Sequence, residues 1–466
     1  MSAWEPVIGL EVHAQLLTKT KIFCGCSTAF GAAPNTQVCP VCLGLPGALP
    51  ALNGAAVEMA VRAGKAFGCR IAEVSTWARK NYFYPDLPKG YQISQYELPI
   101  CAGGAVHVPG LRDVQLTRIH LEEDAGKSVH GAAGSEVDLN RSGVPLIEIV
   151  GEPVLRSAEE ASEYLKALRL CLIYLGVNDG NLEEGSFRCD ANVSIRPAGT
   201  QKLGTRVELK NINSFRFVRQ AIEHEVERQA AVLEQGGRLV QETRLFDHEK
   251  GETRAMRSKE EANDYRYFPE PDLPPLRLPQ GFVEAVAVPK LPHEVTAELL
   301  AAGVSAADAR TLTADPALVK VHALIGGDAR RAALAVVGEL SRAVNEGAAS
   351  LGSLRFDPAQ VREIWKLQDD GVISSTGARE VLAALIRTGT PPAQLVQEKG
   401  LAQVSDSGAL EPLVEAILAR YPAEVERHRS GKKKMLGFFV GVAMKELKGK
   451  GNPALLTQLF TKKLGD

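Results

Sequence analysis

The sequence changes character near Pro292, and this change limits the folds that the chain can adopt. Before it, short strand-like runs alternate with turns rich in Gly, Pro, Asn and Asp; after it, Ala, Leu, Glu and Arg dominate and short helices are signalled. Seven prolines within residues 268–292 predict a structured connector, because proline breaks helices and cannot donate to a ladder. A polar break at residues 405–408 indicates a second boundary. We therefore predict an α+β chain with an antiparallel-sheet domain over residues 1–292, an all-α domain over 293–405 and a small helical tail domain over 406–466.

Two helices can be placed by their end signals. Ser157 with Glu160 forms a capping box, and Ser305 with Asp308 opens a shorter helix. After Ser157 the apolar residues recur at helical spacing, and Gly176 stands where a C-terminal cap is expected. The predicted buried face of this first helix consists of Ala161, Leu165, Leu168, Leu172 and Leu175.

Charge and hydropathy exclude several classes of protein. A net charge of −2 argues against a chain that coats nucleic acid by charge alone, although a local basic patch could still hold RNA phosphates. No apolar run reaches the roughly 18 residues of a membrane-spanning helix, and the first residues lack the pattern of a secretory signal. We therefore expect a cytoplasmic protein with no membrane partner.

Four cysteines form two close pairs. Cys24 and Cys26 are followed by Cys39 and Cys42, a spacing typical of a four-thiolate zinc site. In a reducing compartment a disulfide framework is not expected, so the alternatives are zinc and four unrelated buried thiols. Four thiolates leave no open position on the ion, so the zinc is predicted to be structural. The isolated cysteines are predicted to be small core residues: Cys69, Cys101, Cys171 and Cys189.

Four strand-like segments carry polar residues at every second position, which places those residues on one face of each strand. Such faces can be the solvated side of an antiparallel sheet. However, the mixture of Glu, His, Asp, Asn and Arg suits magnesium and phosphate oxygens, so we favour a site for metal-bound ATP. The four faces are Glu11, His13 and Gln15; Arg118, His120 and Glu122, with Glu123 at the strand end; Arg188, Asp190, Asn192 and Ser194; and Arg206, Glu208 and Lys210.

Two kinds of catalytic motif are missing from the sequence. No Walker loop occurs, so a nucleotide would be held by metal and side chains. Neither a serine-hydrolase elbow nor a Gly/Ser-rich amidase nucleophile occurs. If the protein performs amide chemistry, its ammonia must therefore come from a partner chain.

In these segments and several others the chain resembles the B subunits of the tRNA-dependent amidotransferases. The matching motifs run in order through nearly the whole length: residues 7–13, 79–86, 122–128, 138–141, 145–149, 188–192, 208–211, 264–272, 437–441 and 452–453.

The resemblance implies a cradle domain with a glutamine-synthetase-like sheet, a helical domain and a mobile helical tail that contacts tRNA. It implies that the γ-phosphoryl group of ATP is transferred to the side-chain carboxylate of Glu on tRNA(Gln) or Asp on tRNA(Asn). Ammonia from the amidase, or A, subunit would then displace the phosphate, and the small C subunit would complete a heterotrimer. Zinc would be structural support, because members of the family exist in which the cysteines are replaced.

Site residues follow by position. Glu11, His13 and Glu123 match the magnesium-site residues of the family, and Glu122 and Asp190 are the next candidates for catalysis. On the strand-face argument, we expect the nucleotide and its magnesium to be bound by Arg188, Asn192, Arg206, Glu208 and Lys210.

Two basic regions could contact RNA. Arg79 and Lys80 adjoin Tyr82, Phe83 and Tyr84, a patch that could hold the tRNA acceptor end by charge and stacking or could pack its aromatic rings inward. The tail lysines could contact phosphates or form a solvated face: Lys432, Lys433, Lys434, Lys445, Lys448 and Lys450.

Two other functions stay open at this point. One is a free-standing ATP-dependent ligase that acts on a small amino acid. The other is a zinc-stabilised RNA-binding scaffold whose partner performs all of the chemistry.

Overall fold

A computed structural model describes residues 3–131, 134–258, 265–403, 407–447 and 450–465. The chain divides into two compact units, Met1–Glu294 and Val295–Asp466. Among the described helices, none has the length and apolar character needed to cross a membrane.

The first unit is built on strands and has few helices. Its strands are β1 (Trp4–Gln15), β2 (Arg70–Ile71), β3 (Val74–Ser75), β4 (Ala78–Asn81), β5 (Tyr91–Ser94), β6 (Cys101–Ala102), β7 (Ala105–Val106), β8 (Val114–Glu123), β9 (Lys127–Gly131), β10 (Gly134–Asp138), β11 (Pro145–Gly151), β12 (Phe187–Pro197), β13 (Val207–Lys210), β14 (Glu242–Asp247), β15 (Glu252–Ser258), β16 (Phe268–Pro269) and β17 (Leu276–Arg277). Its helices are α1 (Gly54–Ala66), α2 (Ala158–Tyr174), α3 (Phe215–Glu234) and α4 (Phe282–Ala285).

One large mixed sheet dominates this unit. Its main path is β15-β14-β13-β12-β1-β11-β8-β5-β4-β16, and the short strands β2, β6 and β7 extend it beside β8. Among the paired strands described, β13 and β14 are parallel, whereas the sheet was predicted to be antiparallel. The reason is the connection: helix α3 carries the chain from β13 to β14, and such a crossover returns a strand in the same direction.

The apolar face of the sheet packs with α1, α2 and α3 in one hydrophobic core. Helix α2 has the predicted ends: the Ser157 side chain accepts a hydrogen bond from the Glu160 backbone N–H, and Gly176 adopts a positive φ of 62°. The carboxylate of Glu160 in turn accepts from the Arg156 N–H at 2.8 Å. All of the apolar residues predicted for this face are buried.

The second unit is helical. It begins within α5 (Pro292–Ala301) and continues through α6 (Ala306–Thr313), α7 (Pro316–Ile325), α8 (Ala329–Leu334), a π-helical segment (Ala335–Leu340), α9 (Ser341–Asn345), α10 (Gln360–Asp369), α11 (Ser375–Thr388), α12 (Pro392–Glu398), α13 (Ser407–Arg420), α14 (Pro422–Arg429), α15 (Met435–Glu446) and α16 (Pro453–Leu464). Ser305 caps α6 as predicted, accepting from the Asp308 N–H.

Two separate clusters of buried hydrophobic residues form within this unit, one within residues 299–396 and one within residues 410–464. The predicted boundary at 405/406 lies outside the described residues, and residues 407 and 408 of the predicted polar break begin helix α13. The division into a helical domain and a tail therefore stays a prediction.

Candidate active site on the polar face of the sheet

Strand register places the predicted polar faces side by side. His13 on β1 lies opposite Glu148 on β11 and opposite Arg188 on β12, and Glu148 lies opposite His120 on β8. Glu11 lies opposite Asp190 in the same way. Paired residues of antiparallel strands point to the same side of a sheet, so these side chains share one face.

This face forms the floor of a cavity of about 360 Å³. Its lining consists of Glu11, His13, Lys80, Ser94, Gln95, Tyr96, Arg118, His120, Glu122, Glu148, Asp190, Asn192, Arg206, Glu208, Lys210, Gln241, Glu242, Thr243, Tyr265 and Tyr267.

An acid–histidine cluster occupies the centre of the floor. The Nδ1 atom of His13 lies 3.0 Å from Glu122 Oε1, and the Nε2 atom of His120 lies 3.3 Å from Glu148 Oε2. His120 Nε2 is also 3.7 Å from Glu122 Oε2, so one imidazole lies between the two carboxylates. One donor atom each from His13, Glu122 and Glu148 lie within 4.8 Å of one another, close enough to hold a metal ion together.

The buried charges of this cluster change one another's pKa values. Burial lowers the pKa of His120, but the charges of Glu148 and Glu122 have the larger effect and raise the pKa to about 9. Burial raises the pKa of Glu148, but His120 lowers it more, to about 2. Hydrogen bonds from His120 and His13 hold the pKa of Glu122 well below its usual range against the effect of burial. At neutral pH the two carboxylates are therefore ionised, as metal ligands must be.

Glu11 lies beside this cluster and accepts a hydrogen bond of 2.8 Å from the Asn192 side-chain amide. Burial raises the pKa of Glu11, and the negative charge of Glu148 adds to that effect. A bound cation would reverse both effects, since it would favour the ionised carboxylate.

A second polar cluster centres on Lys210. Its ammonium group lies 2.6 Å from Asp190 Oδ2 and 3.0 Å from Glu208 Oε1, and Thr243 donates to the other oxygen of Glu208 at 2.7 Å. Burial lowers the pKa of Lys210, but the charges of Asp190 and Glu208 raise it above its ordinary value. This lysine is therefore a fixed positive charge at one side of the cavity.

Lys80 supplies a second positive charge. It lies on β4, and its Nζ is 4.8 Å from the centre of the Tyr265 ring. Burial lowers the pKa of Lys80, but the charge of Glu122 raises it more, so the ammonium form persists at neutral pH. Cations at two sides of an acidic floor suit a ligand that carries phosphates together with a metal ion.

The structure brings most of the predicted site residues into this cavity: Glu11, His13, Glu122, Asp190, Asn192, Arg206, Glu208 and Lys210. It does not bring Glu123 or Arg188 there. Glu123 follows Glu122 along the strand and therefore points to the opposite face, where it pairs with Lys89 and accepts from the Ile93 N–H at 2.8 Å. The structure therefore does not bring Glu123 together with Glu11 and His13 in the cavity.

Arg188 also lies outside the cavity lining. Its guanidinium donates to Asp124 Oδ1 at 2.9 Å, and Gln15 donates to the other oxygen of the same carboxylate at 2.6 Å. Asp124 is buried, so its charge holds Arg188 away from the cavity.

Several lining residues were missed in the sequence. Arg118 and His120 were placed on a polar face but not chosen as site residues. Glu148 could have been predicted from the sequence, because it is the one charged residue in the otherwise apolar strand β11. Lys80 was assigned to an RNA-binding patch, and Tyr265 and Tyr267 carried no periodic signal at all.

The proposed RNA patch at residues 79–84 is divided between different roles. Arg79 forms an ion pair of 2.7 Å with Glu270 and lies 4.1 Å from the centre of the Tyr91 ring. Phe83, by contrast, is 88% exposed. In the tail, the described lysines are exposed, and Lys448 lies outside the described residues.

The four predicted cysteines form one group. The sulfur atoms of Cys24, Cys26, Cys39 and Cys42 lie within 4.8 Å of one another. Four thiolates around a tetrahedral zinc ion are separated by about 3.8 Å, so little adjustment would be needed to bind one. Lys21 is fully buried beside them, with its Nζ 3.6 Å from Cys42 Sγ. A hydrogen bond from Cys24 lowers the pKa of Cys42 to about 4.

Two family profiles match the chain. A family profile described as the GatB/GatE catalytic domain matches residues 6–284, and a second, described as the GatB domain, matches residues 320–464.

Relatives match over the whole chain, and each is named as the B subunit of an aspartyl/glutamyl-tRNA(Asn/Gln) amidotransferase. The protein of Anaeromyxobacter sp. (strain Fw109-5) is 58% identical, covering 100% of this chain and 99% of its own length. That of Myxococcus xanthus (strain DK1622) is 56% identical with both chains fully covered, and that of Geobacter sulfurreducens is 53% identical with 99% of each covered. The chain belongs to the family of amidotransferase B subunits.

Proposed function

We propose that this chain uses ATP to phosphorylate the side-chain carboxylate of Glu-tRNA(Gln), Asp-tRNA(Asn) or both, and then amidates it with ammonia from an amidase partner. The product would be Gln-tRNA(Gln) or Asn-tRNA(Asn). The names of the relatives supply the substrates, and the cavity on the polar face of the sheet supplies the chemistry.

The observation that carries the proposal is the acid–histidine cluster. His13, Glu122 and Glu148 offer one imidazole nitrogen and two carboxylate oxygens at metal-binding separation, with Glu11 beside them. Carboxylate oxygens are the ligands that magnesium prefers, and waters and phosphate oxygens would complete its octahedral shell. When bound, magnesium would neutralise the phosphate charge that develops during transfer.

Lys80 and Lys210 would bind phosphate oxygens from two sides of the cavity, because both are held in the ammonium form. Arg118 and Arg206 also line the cavity and can pair with phosphate oxygens in a fork. These side chains would fix the γ-phosphorus in line with the substrate carboxylate, which is the main protein contribution to phosphoryl transfer.

The reaction would proceed in two steps. A carboxylate oxygen of the aminoacyl side chain attacks the γ-phosphorus, and the bond from that phosphorus to the bridging oxygen of ADP breaks. Ammonia then attacks the acyl carbon, inorganic phosphate leaves with the electrons of the acyl C–O bond, and the nitrogen loses a proton. Because an acyl phosphate hydrolyses readily, both steps need a shielded site, which a concave sheet face provides.

The remaining parts of the proposal concern partners and supporting elements. A zinc ion held by the four cysteines would stabilise the loop before α1, and the cradle sheet would be of the glutamine-synthetase type. The amidase (the A subunit) and the small C subunit would complete a heterotrimer. The tail would contact tRNA, and the complex would work in the cytoplasm, where charged tRNA and ATP are available.

The test uses the chain assembled with its amidase and small subunits. ADP release from ATP would be followed with and without Glu-tRNA(Gln), for the wild type, His13→Ala and the control His248→Ala, which changes an exposed histidine outside the cavity lining. We expect charged tRNA to stimulate ADP release in the wild type and the control, and His13→Ala to abolish it while glutaminase activity survives. If ADP release does not depend on tRNA, or persists in His13→Ala, the proposal is contradicted. Such a result would favour a ligase for free amino acids or a non-catalytic scaffold.

A further inference from the structure

Five tyrosine rings form a continuous chain, and three of them, Tyr96, Tyr265 and Tyr267, line the cavity. Tyr84 meets Tyr82, Tyr82 meets Tyr265 and Tyr265 meets Tyr267, each pair edge to face at 6.0 Å between ring centres. The last pair differs, because Tyr267 and Tyr96 are stacked in parallel, with centres 4.1 Å apart and planes inclined by 6°.

The parallel pair is a preformed flat surface. Tyr96 is 51% exposed, and an exposed ring of this kind normally samples several rotamers. Stacking on Tyr267, which is itself half-buried and in contact with Tyr265, fixes the plane of Tyr96. A ligand ring that stacks on the outer face of Tyr96 would therefore find that face already oriented.

Apart from Tyr96, Tyr265 and Tyr267, the described residues that line the cavity carry polar or charged side chains. A nucleobase needs an apolar planar surface for its π-face, and stacking on tyrosine supplies it. The tyrosines offer such a surface, whereas the imidazole rings of His13 and His120 are paired with carboxylates.

We propose that the stacked pair of Tyr96 and Tyr267 is the platform on which an adenine ring of a substrate lies while phosphates occupy the charged floor. This proposal deepens the proposed function and rests on it. Lys80 joins the two regions, since it lines the cavity and its Nζ lies 4.8 Å from the Tyr265 ring centre. The positive charge therefore lies directly beside the aromatic surface.

Two substrates of the proposed reaction carry adenine: ATP, and the terminal adenosine to which the amino acid of a charged tRNA is attached. The chemistry of the platform is the same for both. The experiment must therefore compare each of them with a matched ligand that lacks the adenine.

The test measures equilibrium binding to the full-length chain with magnesium present. The ligands are ATP, inorganic tripolyphosphate, an acceptor-stem RNA ending in adenosine and the same RNA ending in an abasic nucleotide. The variants are Tyr96→Leu, which removes the ring, and Tyr96→Phe, which keeps it. Tyr84→Leu is the matched control for ATP, because Tyr84 is also 51% exposed but does not line the cavity.

If the adenine of ATP occupies the platform, Tyr96→Leu should weaken ATP binding by about 5- to 150-fold, the range for one base–aromatic stack. Tripolyphosphate binding should not change, and Tyr96→Phe and Tyr84→Leu should bind ATP as the wild type does. If the RNA's terminal adenine occupies it, the same loss should appear for the adenosine-ended RNA and not for the abasic one, with ATP unaffected.

If Tyr96→Leu weakens the binding of ligands with and without the base to the same extent, the platform proposal is wrong, and the phosphate site is unaffected. A wild-type chain that binds tripolyphosphate and ATP equally, and the two RNAs equally, would also overturn it. Failure of the wild type to bind ATP, tripolyphosphate and RNA at all would overturn the proposed function itself, and the platform with it.

Discussion

Glu122 and Glu123 are neighbours in sequence but point to opposite faces of β8, and their substitution should have different consequences. Glu122 belongs to the acid–histidine cluster, whereas Glu123 is paired with Lys89 on the apolar side of the sheet. The perturbation is the replacement of each glutamate by glutamine, which preserves shape and removes one negative charge.

For Glu122→Gln we expect tRNA-stimulated ADP release to fall by at least about 100-fold, because the cluster would lose a proposed metal ligand and the charge partner of His13. For Glu123→Gln we expect a loss of stability, because the side chains of Lys89 and Glu123 are only 7% and 3% exposed. Removing one partner of a buried ion pair costs about 3–5 kcal/mol. That corresponds to a decrease of roughly 6–20 °C in the melting temperature of a unit of this size.

The assay is ADP release by the assembled complex at a temperature well below both melting transitions, with melting followed separately by calorimetry. Activity should be lost in Glu122→Gln and kept, per folded molecule, in Glu123→Gln. If instead Glu123→Gln abolishes ADP release without lowering the melting temperature, Glu123 acts in phosphoryl transfer and the assignment of strand faces is wrong.

Three further predictions concern other parts of the first unit. Cys42→Ser should release the roughly one zinc ion expected per chain and lower the melting temperature, as measured by metal analysis and calorimetry. Lys210→Met should raise the KM for ATP by more than about 10-fold, because it removes a phosphate-binding charge and leaves Asp190 unpaired. The binding of tripolyphosphate should weaken by a similar factor. Burial, and then the charge of His107, lower the pKa of His293, so the unfolded chain takes up this proton at higher pH than the folded one. Stability should therefore fall as the pH drops below about 6.5, and His293→Gln should reduce that fall in unfolding experiments.

Much of the site could be predicted from local sequence because its residues lie on strands with a period of two. The polar positions of β1, β8, β12 and β13 were found in this way. The four cysteines were found separately, from the ligand spacing of a zinc site. The structure confirms that these polar faces adjoin, but the role of each residue stays a prediction. Glu123 was proposed from the resemblance and not from periodicity; the period of two places it on the face opposite to Glu122.

The parts that could not be predicted depend on which strands become neighbours. The register that brings Glu148 beside His13 joins segments from distant parts of the chain, and no local pattern encodes it. The same holds for the parallel pair β13–β14, whose direction follows from the crossover helix α3. Lys80 acquires its place only when the short strand β4 joins the far side of the sheet.

The electrostatics of the site depend on these long-range pairings rather than on the residue types alone. A glutamate on a solvated sheet face would titrate in the ordinary range, but Glu148 packed against His120 has a pKa of about 2. His120 in turn has a pKa of about 9 because two carboxylates approach it. Glutamates and lysines on isolated strands would also be charged at neutral pH, but they would not be held together as a magnesium site and a phosphate site. The sheet produces both, because it brings residues of opposite charge to adjacent positions on one buried face.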